Sequence, residues 1–375
     1  MWHLSVLLTV DNWLVGTIAQ TGRVARMTQR KTRVAVVFGG RSSEHEVSCQ
    51  SAKSVLPHLD ADRFEVVPVG ITPQGQWSLG TDPAVLEPGA SNLPTLRNQA
   101  VVAVEPGVAL KDVDVVFPLL HGPWGEDGTI QGLLELGGLP YVGPGVFASA
   151  AVMDKIFAKK LLAAEGIEVG RFVALDRAAT TLTLDEREHL GLPVFVKPSR
   201  AGSSVGISKV SSWDDLDAAI FEARQHDPKV IVEAAVHNPR EIELAVLEFP
   251  DGRIEASVPA ELRPVGEGAD WYDFEAKYVN DSYEADIPAK LDDDVAARLR
   301  ELAVRAFKAL DCQGLSRVDF FLTEEGEIVL NELNTMPGFT PISMYPKAWE
   351  ATGLDFQSLL TTLIETAIAR GSGLR

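Results

Sequence analysis

Short runs of consecutive apolar residues alternate with amphipathic stretches through the first part of the chain. A run without polar alternation is typical of a strand buried on both faces, whereas apolar residues three and four positions apart favour a helix. The pattern predicts strands at 33–38, 64–71 and 114–120, and helices at 44–59 and 125–138. Strands that alternate with helices form parallel sheets covered by helices. We therefore expect an α/β domain over residues 33–150.

The pattern becomes less regular after this domain and predicts two further domains of the α+β class, at 151–236 and 237–375. The elements expected in the former are helices at 154–165 and from a capping box at 212–215 onward, and strands at 171–175, 193–198 and 229–233. Those expected in the latter are strands at 241–249 and 253–259, a helix at 292–310, a hairpin at 315–334 and a helix at 354–369. Residues 264–286 have no period and are too long for a plain connection, which is typical of a lid or of disorder.

Composition excludes several classes of function. The chain has 375 residues and a formal net charge of −19, so it lacks the basic surface that binds nucleic acid or an anionic membrane. Its two cysteines, Cys49 and Cys312, are expected to be small buried side chains and not a disulfide or thiolate metal site. A polar pair, Asp11–Asn12, interrupts the apolar residues of the leader, which therefore forms neither a secretory signal nor a membrane span. We expect a cytoplasmic protein with a disordered leader at residues 1–32.

The predicted hairpin in the last domain carries a cluster of charged residues. If its turn is centred on the Glu–Gly bond, Asp319 faces Glu332 and, because side chains alternate along a strand, Arg317 faces Asn334 on the same surface. Two opposed carboxylates repel each other, and Arg317 or a divalent metal ion offsets that repulsion. Asp, Glu and Asn oxygens suit Mg²⁺. A solvated hairpin end with a surface ion pair is the alternative, and the apolar neighbours on both strands disfavour it.

A second cluster of residues predicts a phosphate site. Lys197 ends a predicted strand, and the glycine- and serine-rich segment 199–206 follows it. Backbone N–H groups of such a loop, together with a lysine, bind phosphate, although the residue order is not that of a Walker loop. Combined with a magnesium site, this loop indicates ATP.

Two polar segments, 39–48 and 121–128, follow predicted strands of the first domain. Ligands bind at the carboxyl ends of the strands of a parallel sheet, so both segments are candidates for a binding site. The former lacks the third glycine of a dinucleotide fingerprint, which argues against a dehydrogenase.

Seven motifs stand in order along the chain: GG-x-SSEHEVS from Gly39, HGPWGEDG from His121, MDK from Met153, KPS-x-x-GSSVG from Lys197, EAKY from Glu275, RVDFF from Arg317 and NELNTMPGFTPISM from Asn331. In this order they resemble the D-alanine–D-alanine ligase family of the ATP-grasp superfamily, and the resemblance extends over residues 33–370. It implies a three-domain ATP-grasp architecture, α/β and α+β, with an N-terminal parallel-sheet domain. It also implies an ATP-dependent ligase that forms D-alanyl-D-alanine through an acyl phosphate for peptidoglycan synthesis.

The resemblance assigns roles to individual residues. It implies catalytic roles for Glu44, Ser203, Tyr278 and Arg317. It implies ATP contacts by Lys155, Lys197, Ser204, Glu233, Glu241 and Lys277. It implies D-alanine contacts by Glu44, His121, Gly338, Ser343 and Met344. The metal ligands would be Asp319, Glu332 and Asn334, which would hold two Mg²⁺ ions or Mn²⁺ in their place.

One departure from the family is visible: a lysine common after the residue matching Glu233 is Ala234 here, which leaves the adenine contacts open. Tyr278 accompanies peptide formation in the family, whereas relatives that make the D-lactate ester carry a different loop. The closest alternative is nevertheless a ligase that joins D-alanine to D-lactate or to another D-amino acid. A non-catalytic ATP-binding module would not need all of these residues. The family is commonly dimeric, so a homodimer is expected, with no nucleic-acid or membrane partner.

Overall fold

The computed structural model of the protein describes residues 30–89, 91–97, 102–203, 205–264 and 283–373. Within these residues the strands form three sheets. Residues 1–29 of the expected leader and residues 265–282 of the expected lid lie outside the described residues. No helix in the described part of the chain is long and apolar enough to cross a membrane.

The first sheet is mainly parallel, as the alternation of strands and helices predicts. Its strands are β1 (Thr32–Gly39), β2 (Phe64–Ile71), β3 (Trp77–Leu79) and β4 (Val115–Leu119), in the order β3–β2–β1–β4. β1 pairs in parallel with β2 and β4, and the short β3, which the pattern does not predict, pairs antiparallel with β2. Its helices are α1 (His45–Val55), the short α2 (Pro106–Ala109) and α3 (Thr129–Leu136). The buried residues of α3 pack on one face of the sheet, and those of α1 pack on the other.

The second sheet is antiparallel and has the order β5–β8–β6–β7. Its strands are β5 (Phe172–Leu175), β6 (Val194–Pro198), β7 (Ser208–Val210) and β8 (Val230–Ala234). The neighbouring helices are α4 (Val146–Met153), α5 (Lys155–Ala164), α6 (Leu184–Leu190) and α7 (Leu216–Arg224). Apolar residues of α6 and α7, including Leu190 and Ile220, form a core with this sheet. Strand β6 is the strand predicted before the glycine-rich loop. Lys197 is the residue before the last one of β6.

The third sheet is antiparallel, runs β12–β11–β9–β13–β14, and carries β10 beside β9. Its strands are β9 (Arg240–Glu248), β10 (Ile254–Ala256), β11 (Ala260–Pro264), β12 (Tyr283–Asp286), β13 (Leu315–Leu322) and β14 (Ile328–Asn334). The last helices are α8 (Asp293–Ala309), α9 (Met344–Thr352) and α10 (Phe356–Arg370). Apolar residues of α8, such as Leu299 and Phe307, pack on one face of this sheet, and Trp349 and Leu363 share a core with the first sheet.

Several helix predictions need correction. The pattern does not predict α4, whose residues are apolar nearly throughout, or α6, which begins at a capping box between Thr183 and Glu186. The capping box predicted at 212–215 is wrong: the Ser212 side chain accepts only from the Asp214 N–H, and a 3-10 turn precedes α7. Helix α3 begins at Thr129 because Gly128, which precedes it, has a left-handed φ of 90°.

The register of the hairpin is confirmed at the charged residues. Asp319 pairs with Glu332 and Arg317 pairs with Asn334. Nearer the turn, however, Leu322 pairs with Ile328, so the turn is centred on Glu325. A bulge between the Asp319 and Phe320 pairings shifts the register by one residue, and this shift restores the predicted pairs.

Candidate active site

A cavity of about 820 Å³ is lined by strands of the second and third sheets and by the loops that follow β1 and β4. Every predicted site residue that the structure describes lines this cavity. These residues are Glu44, His121, Lys155, Lys197, Ser203, Glu233, Glu241, Arg317, Asp319, Glu332, Asn334, Gly338, Ser343 and Met344. The other predicted residues, Ser204, Lys277 and Tyr278, lie outside the described residues.

Glu44 is a buried carboxylate at the start of α1, and it faces the glycine-rich loop. Its Oε1 accepts a short hydrogen bond from the Ser203 hydroxyl. Its Oε2 is buried and has no hydrogen-bond partner among the described residues. A Cβ on Gly122 or Gly202 would lie 2.5 or 2.4 Å from Oε2, so both glycines are needed for this close approach. A buried anionic oxygen in a cavity is suited to bind an ammonium group.

We expect Gly202→Ala to raise the KM for D-alanine by at least about tenfold, since the new methyl group would displace the Glu44 carboxylate. The KM for ATP should change less than that for D-alanine. Steady-state kinetics with each substrate varied in turn measure the two constants. Gly170→Ala is the control, because a Cβ at Gly170 would meet nothing within 4 Å, and it should leave both constants unchanged. Gly252 is less suitable as a control because its φ of 82° is left-handed. An unaltered KM for D-alanine in the Gly202 variant would contradict this reading of Glu44.

His121 links the first sheet to the loop after β14. Its Nδ1 donates to the Met336 carbonyl oxygen at 2.9 Å, so its Nε2 accepts from the Ser51 hydroxyl at 3.1 Å. Burial lowers the pKa of His121, which keeps the ring neutral in this arrangement. Although His121 lines the cavity as predicted, both of its ring nitrogens therefore contact protein groups.

Glu126 is a partly buried carboxyl group that the sequence motif contains but to which we assign no role from sequence. It accepts from the backbone N–H groups of Gly122 at 2.7 Å and Met336 at 2.9 Å, so it joins the same two segments as His121. Burial, followed by the nearby Glu44 carboxylate, raises the pKa of Glu126 to about 7.

The raised pKa of Glu126 predicts a pH-dependent stability. Between about pH 4.5 and 7 the folded state holds a proton on Glu126 that the unfolded state has lost, so stability falls as the pH rises through this range. Glu126→Gln removes this group from the titration. We expect the free energy of unfolding of the variant, minus that of wild type, to be larger at pH 8 than at pH 5 by up to about 3 kcal/mol. Urea unfolding at both pH values measures this difference, and an equal difference at both would refute it.

Two lysines hold the buried carboxylate of Glu233 on β8. The Nζ of Lys197 lies 2.5 Å from Oε2, and the Nζ of Lys159 on α5 lies 3.1 Å from Oε1. Burial alone would raise the pKa of Glu233, but the two lysines lower it to about 2. Burial likewise opposes the charge on Lys197, yet Glu233 raises the pKa of that lysine above its usual value. Glu332 and Glu241 act on the pKa of Lys197 in the same direction, so lysines and carboxylates are interspersed at this end of the cavity.

The glycine-rich loop after β6 is anchored to the start of α5. The Asp154 carboxylate caps this helix, accepts from the Ser199 hydroxyl at 2.8 Å and pairs with Lys229 at 2.5 Å. The Lys155 ammonium group donates to the Ala201 carbonyl oxygen at 2.9 Å. These contacts fix the loop next to Lys155, so a phosphate group in the loop would meet that lysine as well.

The hairpin presents the candidate metal ligands. Arg317 binds both oxygens of Asp319, with Nε–Oδ1 and Nη2–Oδ2 distances of 2.7 Å, and the Asn334 amide donates to Oδ2 at 3.1 Å. On β14, Glu332 lies 3.9 Å from the Lys155 ammonium group. Across the described ranges, no three or more His, Cys, Asp and Glu side chains are arranged to hold a metal ion. Two directly opposed carboxylates with an adjacent amide nevertheless supply the oxygen donors that Mg²⁺ prefers.

The loop after β14 contributes the remaining predicted residues. The Thr340 backbone N–H donates to the Ser343 hydroxyl at 3.0 Å, and Ser343 precedes Met344, the first residue of α9. A Cβ on Gly338 would lie 2.6 Å from the Ser343 hydroxyl, so the backbone of Gly338 approaches this side chain closely. The loop thus places a hydroxyl, a helix start and an accessible backbone against the cavity.

The sequence analysis missed four charged residues that line the cavity: Glu126, Lys159, Lys209 and Glu243. Lys159 stands four positions after Lys155 on α5, and Glu243 stands two positions after Glu241 on β9, where it lies 3.1 Å from Arg317. Helical spacing in the first case and strand alternation in the second were signals that could have found them.

Three sheets around a cavity with paired lysines, a glycine-rich loop and an arginine–carboxylate cluster define the ATP-grasp class of ligases. Two family models, described as D-ala D-ala ligase N-terminus and D-ala D-ala ligase C-terminus, match residues 33–144 and 161–365. The chain belongs to the D-alanine–D-alanine ligase family.

Curated relatives and solved structures agree with this assignment. A D-alanine–D-alanine ligase of Nocardia farcinica is 62% identical over 93% of this chain and 100% of that protein. One of Mycobacterium avium is 59% identical over 92% of this chain and 99% of that protein. The structure of the Coxiella burnetii D-alanine–D-alanine ligase matches with a TM-score of 0.75 at 35% identity, covering 91% of this chain and 94% of that one. A D-Ala:D-Ser ligase from Enterococcus faecalis also has a TM-score of 0.75, at 38% identity, covering 90% and 100%.

Proposed function

We propose that this protein is the ATP-dependent ligase that joins two molecules of D-alanine and forms D-alanyl-D-alanine, ADP and phosphate, for peptidoglycan precursor synthesis. The observation that carries the proposal is the cavity, which is lined by a buried anionic oxygen, paired lysines and an arginine–carboxylate cluster. These three features match the three needs of the reaction: an ammonium site, a triphosphate site and a site for developing negative charge.

In the first step, the carboxylate of one D-alanine attacks the γ-phosphorus of ATP, and ADP leaves. We assign the ammonium group of this D-alanine to Oε2 of Glu44, which is buried and accepts no hydrogen bond from the described residues. Lys155 and Lys197 would contact phosphate oxygens, and Glu233 and Glu241 would contact the nucleoside. Ser204 and Lys277 are proposed to complete the phosphate site. Lysines near a transferred phosphoryl group stabilise its charge without taking part in covalent chemistry.

In the second step, the neutral amine of another D-alanine attacks the acyl phosphate, a tetrahedral oxyanion forms, and phosphate leaves. Arg317 would donate to this oxyanion, and such a donor is typically worth about 3 kcal/mol. His121, Gly338, Ser343 and Met344 line the cavity and would form part of the D-alanine pocket. The attacking nitrogen loses one proton as the peptide bond forms, and the departing phosphate takes up that proton.

Asp319, Glu332 and Asn334 would hold Mg²⁺, for which their oxygen donors are suited. When bound, the metal would neutralise phosphate oxygens. We further propose two such ions, with Mn²⁺ able to substitute. Each of these residues reaches the cavity from one hairpin, so their spacing is set by the strand register and not by a flexible loop.

We propose further features of this enzyme, which concern Tyr278, the domains and the assembly. Tyr278, in the segment between β11 and β12, would bond through Ser203 to Glu44 and close the site against water. The domains would comprise residues 33–150, 151–236 and 237–375, after a leader at 1–32. The protein would act in the cytoplasm, where ATP is available, as a homodimer.

The test is phosphate release from ATP and Mg²⁺ by the purified protein with D-alanine or L-alanine. We expect release with D-alanine and only background release with L-alanine. Equal release with both, or release that does not depend on an amino acid, would contradict the proposal.

A further inference from the structure

Three carboxylates form one row across the third sheet. Asp319 on β13 pairs with Glu332 on β14 and also with Glu243 on β9. Like charges directly opposite each other destabilise a sheet, so this row needs cations. Arg317 lies 2.7 Å from Asp319 and 3.1 Å from Glu243, and Lys155 lies 3.9 Å from Glu332. Arg317 therefore forms ion pairs with the carboxylates of Asp319 and Glu243 at the same time.

The Asp319 carboxylate accepts three hydrogen bonds in this arrangement. Its Oδ1 accepts from Arg317 Nε, and its Oδ2 accepts from Arg317 Nη2 and from the Asn334 amide. A divalent cation on Asp319 would compete with these donors for the two carboxylate oxygens. The guanidinium group would then stand beside the cation, and two positive charges at such a distance repel each other strongly in a buried site.

We propose that Glu243 is a positioning residue that retains Arg317 when a divalent cation takes Asp319. The inference rests on the proposed function for the identity of the metal ligands. The Nε atom of Arg317 already lies 2.7 Å from Asp319 Oδ1 and 3.1 Å from Glu243 Oε2, so it can pass to Glu243 with little movement. Nη2 then leaves Asp319 and becomes the donor for the oxyanion.

The burial of Glu243 makes this role effective. Its side chain is 7% exposed, against 17% for Arg317, so water screens the pair little. Once Asp319 is bound to a cation, Glu243 is the carboxylate that keeps Arg317 neutralised. Glu243 thereby couples loading of the metal to the orientation of the catalytic arginine, and it raises the affinity of the site for the metal.

Mn²⁺ binding to the metal-free full chain, without nucleotide or D-alanine, tests the proposal. Electron paramagnetic resonance of free Mn²⁺ gives the dissociation constant for wild type, Glu243→Gln, Arg317→Met and the double variant. We expect Glu243→Gln to weaken Mn²⁺ binding about tenfold, as is usual for a residue that supports a metal ligand. Arg317→Met should tighten binding, because it removes the competing cation. In the Arg317→Met background, Glu243→Gln should change the constant by less than about twofold.

Glu241→Gln is the matched control, because it removes a carboxylate from the same strand two residues away, opposite Phe321. It should leave Mn²⁺ affinity within about twofold of wild type, and Glu243→Asp should restore most of the affinity lost in Glu243→Gln. An effect of Glu243→Gln that persists without Arg317, or an equal effect of Glu241→Gln, would show a general field effect and overturn the proposal. Unchanged Mn²⁺ affinity in Glu243→Gln would overturn it too. Ligase activity of the wild type is measured separately. Absence of that activity would refute the proposed function, but it would not refute the coupling between Glu243 and Arg317.

Discussion

Glu332→Gln is expected to remain folded and to lose at least about a hundredfold in kcat, the usual effect of removing one preorganised electrostatic group from an active site. Glu332 directly opposes Asp319, so its replacement relieves a like-charge contact and should change the free energy of unfolding by less than about 1 kcal/mol. The proposed metal, in contrast, loses one of two carboxylates. Phosphate release at saturating Mg²⁺ together with urea unfolding separates the two effects.

Glu327→Gln is the matched control for this variant, because it makes the same change at an exposed position just before β14. We expect its kcat to equal that of wild type. Turnover of Glu332→Gln at the wild-type rate would show that Glu332 does not hold the metal. A strongly destabilised Glu332→Gln would show that the carboxylate supports the fold.

Lys197→Met is expected to have the other large effect, since it removes one of the two cations that hold Glu233. The carboxylate remains buried, with Lys159 3.1 Å away, so we expect a loss of about 3 kcal/mol in the free energy of unfolding. The KM for ATP should rise at least about tenfold because a phosphate contact is lost. Lys160→Met, a change at the exposed neighbour of Lys159, should alter neither quantity.

The double variant Lys197→Met, Glu233→Gln distinguishes the stability effect from the binding effect. Without the buried negative charge, stability should return towards that of wild type, whereas the KM for ATP should stay high. The dependence of stability on pH in the acid range provides a further test of the buried charge. The pKa of Glu233 is about 2, so its contribution to stability is present above about pH 4.5 and is lost as the pH falls towards 2. If the double variant were as unstable as Lys197→Met, the buried charge would not be the cause.

The alternation of apolar runs and helices predicts the first sheet because buried parallel strands leave a strong signal in sequence. The short strands β3 and β7 leave none, since three residues are too few to show a period. Helix α4 was missed for a related reason: its residues are apolar on nearly all sides, so it has no polar face to reveal the helical spacing.

Most residues of the candidate site could be predicted because they stand in motifs that resemble those of the ligase family and follow in the same order. The register of Asp319 and Glu332 was predicted correctly although the register next to the turn differs from the prediction by one residue, because a bulge in the hairpin compensates for this difference. Local sequence does not reveal such a bulge. The contact of Glu243 with Arg317 and that of Lys159 with Glu233 join elements far apart in the chain, so only the folded arrangement identifies them.

We propose that this cavity joins D-alanine to D-alanine. The specificity of this reaction can be tested by mass spectrometry of the products. The reaction is run at pH 7.5 with ATP, Mg²⁺ and equal concentrations of D-alanine, D-serine and D-lactate. We expect D-alanyl-D-alanine as the main product, with little D-alanyl-D-lactate or D-alanyl-D-serine. A mixture in which the D-lactate ester or the D-serine peptide predominates would contradict it.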